Sequence, residues 1–198
     1  VAIEDLNIKG MLKNHKLDGM LVATFLTTLF YSATYPYIHK EIMNHGADNL
    51  IAINQIINCL SVVIFGYVWN KYSNKLFKHY AIFCILETIS TIGTMIYVIT
   101  TEHIIAYYML DTIAFAIITR NICCGGIKLR ALRYNTEEQR EHFDNNNNSM
   151  SAIATIVGSL IAMVLHLDFP IMVVLATIGN MIDNIFYINI FYKSQQRR

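Results

Sequence analysis

The stretch HIIAYYMLDTIAFAIITRNICC, residues 103–124, decides how this chain folds. Its length is close to the ~20 residues an α-helix needs to cross the hydrocarbon core of a bilayer. It lacks the apolar/polar alternation of a barrel strand. It carries one carboxylate, Asp111, about two residues or ~3 Å from its centre. Five further stretches have the same apolar character: 17–38, 50–69, 79–100, 149–167 and 170–192. The segments between them are short, except 125–148. The expected fold class is therefore all-α and integral to the membrane, with a six-transmembrane-helix bundle over residues 17–192.

Composition agrees with that reading. Of 198 residues, 55% are hydrophobic and only 15% charged, where a soluble domain carries roughly 25% charged residues. A net charge of +1 without a basic block excludes a nucleic-acid-binding protein. The hydrophobicity excludes a disordered chain. Cys59, Cys84, Cys123 and Cys124 form neither a CxxC pair nor a Cys/His cluster, so no metal site and no disulfide framework is expected. The histidines fall in loops or at span ends, and no nucleophile–base motif is present. No enzyme chemistry and no cofactor are expected. Residues 1–16 are polar and do not read as a signal peptide, and the opening Val1 suggests that an upstream segment is missing.

Lysine and arginine set the topology. Lys9, Lys13 and Lys16, then Lys71, Lys75 and Lys78, then Lys128, Arg130, Arg133 and Arg140, and finally Lys193, Arg197 and Arg198 all fall on one side. The opposite side holds only Lys40, and Arg120 lies inside a span. This asymmetry predicts that both termini face the cytoplasm, across the plasma membrane. Residues 1–16 read as an interfacial lead-in helix, and 193–198 as a cytoplasmic tail. Within the loop 125–148, Thr136-Glu137-Glu138-Gln139 is a capping box that predicts a short helix over 136–143. Asn145–Asn148 then read as a polar hinge, with Ser149 or Ser151 capping the fifth span.

Five spans carry polar residues at helical spacing, so that each set shares one face. Span 1 has Thr24, Thr27, Thr28, Tyr31 and Tyr35; span 2 has Asn54, Gln55, Asn58 and Ser61; span 3 has Glu87, Ser90, Thr91 and Thr94. Span 4 has Tyr107, Tyr108, Asp111 and Thr112; span 6 has Asn180, Asp183, Asn184 and Tyr187. Lone Ser and Thr residues in such stripes read as interhelical hydrogen bonders. Glu87, Asp111 and Asp183 are different, because a charge at the bilayer centre costs at least ~2.5 kcal/mol. They are candidate proton-coupling groups. Arg120 lies half a turn off the Asp111 face of its own helix. Span 5 instead carries Ala154, Gly158 and Ala162 at four-residue spacing. That small-residue stripe reads either as packing within the bundle or, more sharply, as contact with a second bundle.

At the second cytoplasmic boundary the sequence reads Gly66-Tyr67-Val68-Trp69-Asn70-Lys71-Tyr72-Ser73-Asn74-Lys75. This resembles the loop 2–3 signature of the major facilitator superfamily, G-x-L-x-D-[RK]-x-G-[RK]-[RK]. Gly66, Lys71 and Lys75 match, while Asn70 stands in place of Asp and Ser73 in place of Gly. Arg120 with Cys123-Cys124-Gly125-Gly126 is similar to a loosened R-x-x-Q-G motif. The Ala154–Gly158 stripe is similar to the family's span-5 glycine pattern without its proline and paired glycine. The resemblance implies a fold like one six-helix, N-terminal-type half of a twelve-span transporter. It implies that spans 1 and 4 line a cavity, spans 2 and 5 make the contact between halves, and spans 3 and 6 give outer support. Gly66, Asn70, Lys71, Lys75 and Arg120 would form the cytoplasmic gate.

The function expected is a half-size secondary transporter for a small polar or amphipathic solute, proton-coupled and working as a parallel homodimer in the lipid bilayer. Asp111, Tyr31, Tyr35, Tyr107 and Asn58 are the expected substrate contacts. Ala154, Gly158 and Ala162 are the expected dimer interface. Two alternatives stand beside it: a substrate-capture subunit of an energy-coupling-factor importer, and a non-transporting membrane interaction or immunity protein.

Overall fold

A computed structural model describes residues 18–165 and 167–196. The expected lead-in helix over 1–16 lies outside the described residues. Six long helices account for nearly all the rest: α1 (Gly19–Asn44), α2 (Asp48–Phe77), α3 (Tyr80–Thr101), α4 (Ile104–Arg133), α5 (Glu137–Val164) and α6 (Phe169–Gln196). Within α4 the turn Phe115–Thr119 is a π-helix. All but α1 are long and apolar enough to cross a membrane. α1 has the length but carries more polar side chains. Large aliphatic residues face outward, as Val63 (71% exposed) and Val164 (78% exposed) do. Buried positions include Asn54, Glu87, Asn121 and Asn184. This is the polarity of a membrane-spanning helical bundle, in which lipid takes the apolar face and polar groups turn inward.

The helices outrun the apolar stretches. α2 continues through the expected loop 70–78 as far as Phe77, with one non-helical residue at Tyr72. The expected loop 125–148 shrinks to the link 134–136. α4 runs on to Arg133 and α5 begins at Glu137. Thr136 does cap that helix, accepting from the Gln139 N–H at 3.2 Å, while the Gln139 side chain accepts from the Asn135 N–H at 3.1 Å. The helix does not end at 143. Asn145–Asn148 form no hinge, and neither Ser149 nor Ser151 is a cap: both lie inside α5, where Ser149 Oγ donates to the Asn145 carbonyl at 3.0 Å. The expected tail is likewise helical to Gln196. Lys, Arg, Glu and Gln are good helix formers, so a helix leaving the apolar layer need not stop at its edge.

Short links make successive helices antiparallel and define two ends. The basal end holds Asp18, the α2–α3 link, the α4–α5 link and the end of α6. Its apolar plug is built on Met20, Leu21, Trp69, Phe77, Tyr80, Leu129, Tyr134, Phe143 and Phe191. The distal end closes on Ile38, Ile42, Val98, Tyr107, Tyr108 and Val173. In cross-section the helices follow the order α5–α1–α6–α3–α4–α2, each packing chiefly on its neighbours in that row. The order reads the same when α1, α2 and α3 are exchanged with α4, α5 and α6. The bundle is therefore two three-helix units of opposite direction, joined by α3 against α6.

Candidate functional site

The row of helices curls around one cavity of about 500 Å³. α1 lines it with Thr24, Thr27, Phe30, Tyr31 and Tyr35, and α4 with Tyr107, Asp111, Phe115 and Thr119. α3 adds Glu87 and Thr91, and α6 adds Asn180, Asp183 and Tyr187. The polar stripe of α1 thus faces this space, which explains its lower apolar content. α1 and α4 scarcely touch each other. Along the gap between them the lining residues Tyr31 (55% exposed), Phe115 and Ile127 are open to the outside. The cavity therefore opens sideways, between α1 and α4.

Three carboxylates from three helices meet this space. Glu87 is buried; the Thr119 hydroxyl, in the π-helical turn, donates to its Oε1. Neighbouring Asn184 reaches from α6 to Thr88 Oγ1 at 3.1 Å. Asp111 is half-buried, with the Tyr35 hydroxyl 3.5 Å from its Oδ2, at the outer limit of a hydrogen bond. Tyr35 is in turn stacked on Tyr31, with ring centroids 4.5 Å apart. Asp183 is half-buried on α6, below the Asn180–Thr91 bond of 3.2 Å. Glu87 is close enough to act electrostatically on both Asp111 and Asp183. Among the described residues, no Lys, Arg or His forms an ion pair with any of the three. Arg130 stands at the basal end of the cavity but is paired with Asp144 at 2.9 Å.

Most residues expected at the site are brought together here: Tyr31, Tyr35, Tyr107 and Asp111, with Glu87 and Asp183 on the opposite wall. The resemblance assigns Glu87 and Asp183 to outer support, whereas both face the cavity because α3 and α6 form its back wall. Asn58 is the exception among the expected substrate contacts. It donates to Asn54 Oδ1 at 2.6 Å, Asn54 donates to Thr112 Oγ1 at 2.7 Å, and Thr112 donates to the Tyr108 carbonyl at 2.8 Å. Asn58 is thereby tied into the α2–α4 contact, away from the cavity.

The expected gate does not assemble within the chain. Asn70, Lys71 and Lys75 are exposed on α2, and Arg120 turns elsewhere, with Nε 3.3 Å from Ser61 Oγ and its guanidinium over the Phe115 ring. The basal tie between α2 and α4 is Lys128, which donates to Ser73 Oγ at 2.8 Å and Asn74 Oδ1 at 2.6 Å. A Cβ on Gly66 would meet nothing within 4 Å. The expected dimer stripe is occupied as well. Ala154, Gly158 and Ala162 are all buried against α1, where a Cβ on Gly158 would stand 2.6 Å from the Leu29 carbonyl oxygen. The small residues serve a contact inside the bundle and are not free to meet a second one.

The basal lock was not read from the sequence. Asp18 caps α1 by accepting from Met20 N–H at 2.8 Å, pairs with Arg133 at 2.9 Å, and accepts from the Tyr134 hydroxyl at 2.8 Å. Burial, and then the Asp18 carboxylate, push the Tyr134 phenol above its ordinary pKa. The signal available was an acidic residue directly before an apolar run, a helix-start pattern. No family model, curated protein or solved structure matches this chain.

Proposed function

We propose that the chain is half of a proton-coupled secondary transporter, working as a parallel homodimer in the plasma membrane with α1 as a sixth span and both termini cytoplasmic. One observation carries this reading. Glu87, Asp111 and Asp183 face a single cavity that opens sideways between α1 and α4, without a paired cation among the described residues. Left toward lipid, that mouth would place ionisable groups against hydrocarbon at a cost of several kcal/mol. A second copy in the same orientation covers it and completes a central pathway. The interchangeable three-helix units support the likeness to half of a major facilitator transporter, whose halves contain such inverted repeats. Asp111 is the group that exchanges the proton: it stands on α4 beside the mouth, and its contact with Tyr35 is long. Tyr31, Tyr35 and Tyr107 form the wall beside the solute.

Flux in proteoliposomes under an imposed pH gradient tests the coupling. Asp111→Asn keeps the side-chain volume and should insert normally, abolish gradient-driven accumulation and leave solute exchange partly intact. Accumulation equal to the parent would remove Asp111 from the coupling role. Orientation is tested by labelling single cysteines in a cysteine-free background. Glu102→Cys should react from outside intact cells, and Lys75→Cys and Asn135→Cys should not. Labelling of the last two would invert the topology.

A further inference from the structure

We infer that the solute is an organic cation with an aromatic or similarly flat apolar group, seated between Asp111 and the tyrosines of α1 and α4. The inference rests on the transporter reading for its biological use but not for its chemistry. The cavity holds three carboxylates, and the guanidinium at its basal end is already neutralised by Asp144. The space therefore favours a positive guest over a neutral or anionic one. The carboxylates are not equivalent. Glu87 is buried and receives the Thr119 hydroxyl, whereas Asp111 is half-buried with a single long contact from Tyr35. Asp183 is half-buried as well but stands on the back wall, so Asp111, on α4 beside the mouth, is the carboxylate placed to meet a ligand.

The walls around it select the kind of cation. Tyr31 and Tyr35 are stacked, Tyr107 lies one turn from Asp111, and Phe30 and Phe115 complete the lining. Aromatic faces attract a cation through their quadrupole and do so most strongly where water is scarce. A bare divalent metal is disfavoured, because among the described residues no group of three His, Cys, Asp or Glu side chains is placed to hold one. At about 500 Å³ the cavity also falls within the range of sites for drug-sized molecules.

The test is direct binding to the full-length chain in phosphatidylcholine nanodiscs, using radiolabelled benzyltrimethylammonium. Its neutral carbon isostere, neopentylbenzene, and magnesium chloride serve as competitors. Saturable binding is expected that neither competitor displaces. Asp111→Asn should weaken it by about tenfold and Tyr107→Leu by about threefold. Displacement by neopentylbenzene at equal concentration, or displacement by magnesium, overturns the inference, as does the absence of saturable binding. If Asp111→Asn does not insert, the unmutated protein's preference for the cation over its isostere still decides. Proteoliposome flux separates the two readings. Binding of the cation without any flux leaves the ligand class standing and rejects the transporter; flux of neutral solutes alone does the reverse.

Discussion

The α1–α5 and α4–α2 contacts occupy equivalent places in the two three-helix units, yet they are held by different physics. Between α1 and α5 the helices approach until backbone meets backbone. Ala154, Gly158 and Ala162 leave no side chain in the way, and the Tyr37 hydroxyl donates to the Ala162 carbonyl. Between α4 and α2 the contact is bridged by side chains: Asn54 to Thr112, Trp69 Nε1 to Asn121 Oδ1 at 2.8 Å, and Lys128 to Ser73 and Asn74. Lipid supplies no hydrophobic force between apolar helices, so a contact in the membrane is made either by close packing or by hydrogen bonds. Close packing dominates the α1–α5 edge, with the Tyr37 bond added to it, and hydrogen bonds dominate the α4–α2 edge. The packed seam should fail abruptly when it is filled, while the bonded seam should weaken by small steps.

The largest effect is expected at Gly158. Gly158→Leu drives a side chain into the Leu29 carbonyl, a backbone atom that cannot turn aside. Overpacking of this kind costs about 3 kcal/mol. The variant should insert but lose its compact form in detergent, seen as a large fall in the melting temperature of the monomer peak on size exclusion. Stability equal to the parent would mean that α5 does not lie against α1. A smaller effect is expected at the other seam. A double-mutant cycle on Asn54→Ala and Thr112→Val should give a coupling of about 0.6 kcal/mol, the mean for interhelical hydrogen bonds in membranes. A coupling of several kcal/mol would make the α4–α2 seam as unforgiving as its counterpart and erase the contrast.

The sequence made some of this legible and hid the rest. Apolar length revealed the spans, and the Thr24–Tyr35 stripe revealed the inward face of α1. That Asp111 lies on a polar face could be read from spacing. That Glu87 and Asp183 share its cavity could not, because spacing fixes a face and not the helix it meets. The order α5–α1–α6–α3–α4–α2 is a property of packing. The Ala154–Gly158–Ala162 stripe was ambiguous for the same reason: small residues permit close approach to any helix, whether in the same chain or another. The polar run 125–148 misled because water-facing helix and loop have similar composition. Asn145–Asn148 are poor helix formers, but Thr24 Oγ1 donates to Asn147 Oδ1 at 2.7 Å and Phe143 stacks on Tyr134, which anchors this turn from both sides.

Gly66 is where a gain in stability is expected, and it gives the sharpest test of what covers the α2 edge. Gly125, Gly158 and Gly179 each have a neighbour that a Cβ would strike: the Tyr80 ring, the Leu29 carbonyl and the Phe30 side chain. Gly66, like Gly93 in α3, has none within 4 Å. It sits inside α2, where glycine costs about 1 kcal/mol relative to alanine. Among the described residues, none packs against it to offset that cost. In the proposed dimer the offset is a second copy approaching closely along α2, which the resemblance makes an inter-half helix. Gly66→Ala should therefore leave insertion intact, raise monomer stability by up to about 1 kcal/mol, and still reduce flux and dimer content in nanodiscs. The combination is the diagnostic: a stabilised monomer that functions worse. A variant that is stabilised and transports like the parent would show that the Gly66 face meets only lipid. The mating surface would then have to be sought along the mouth itself, at Tyr31, Phe115 and Ile127.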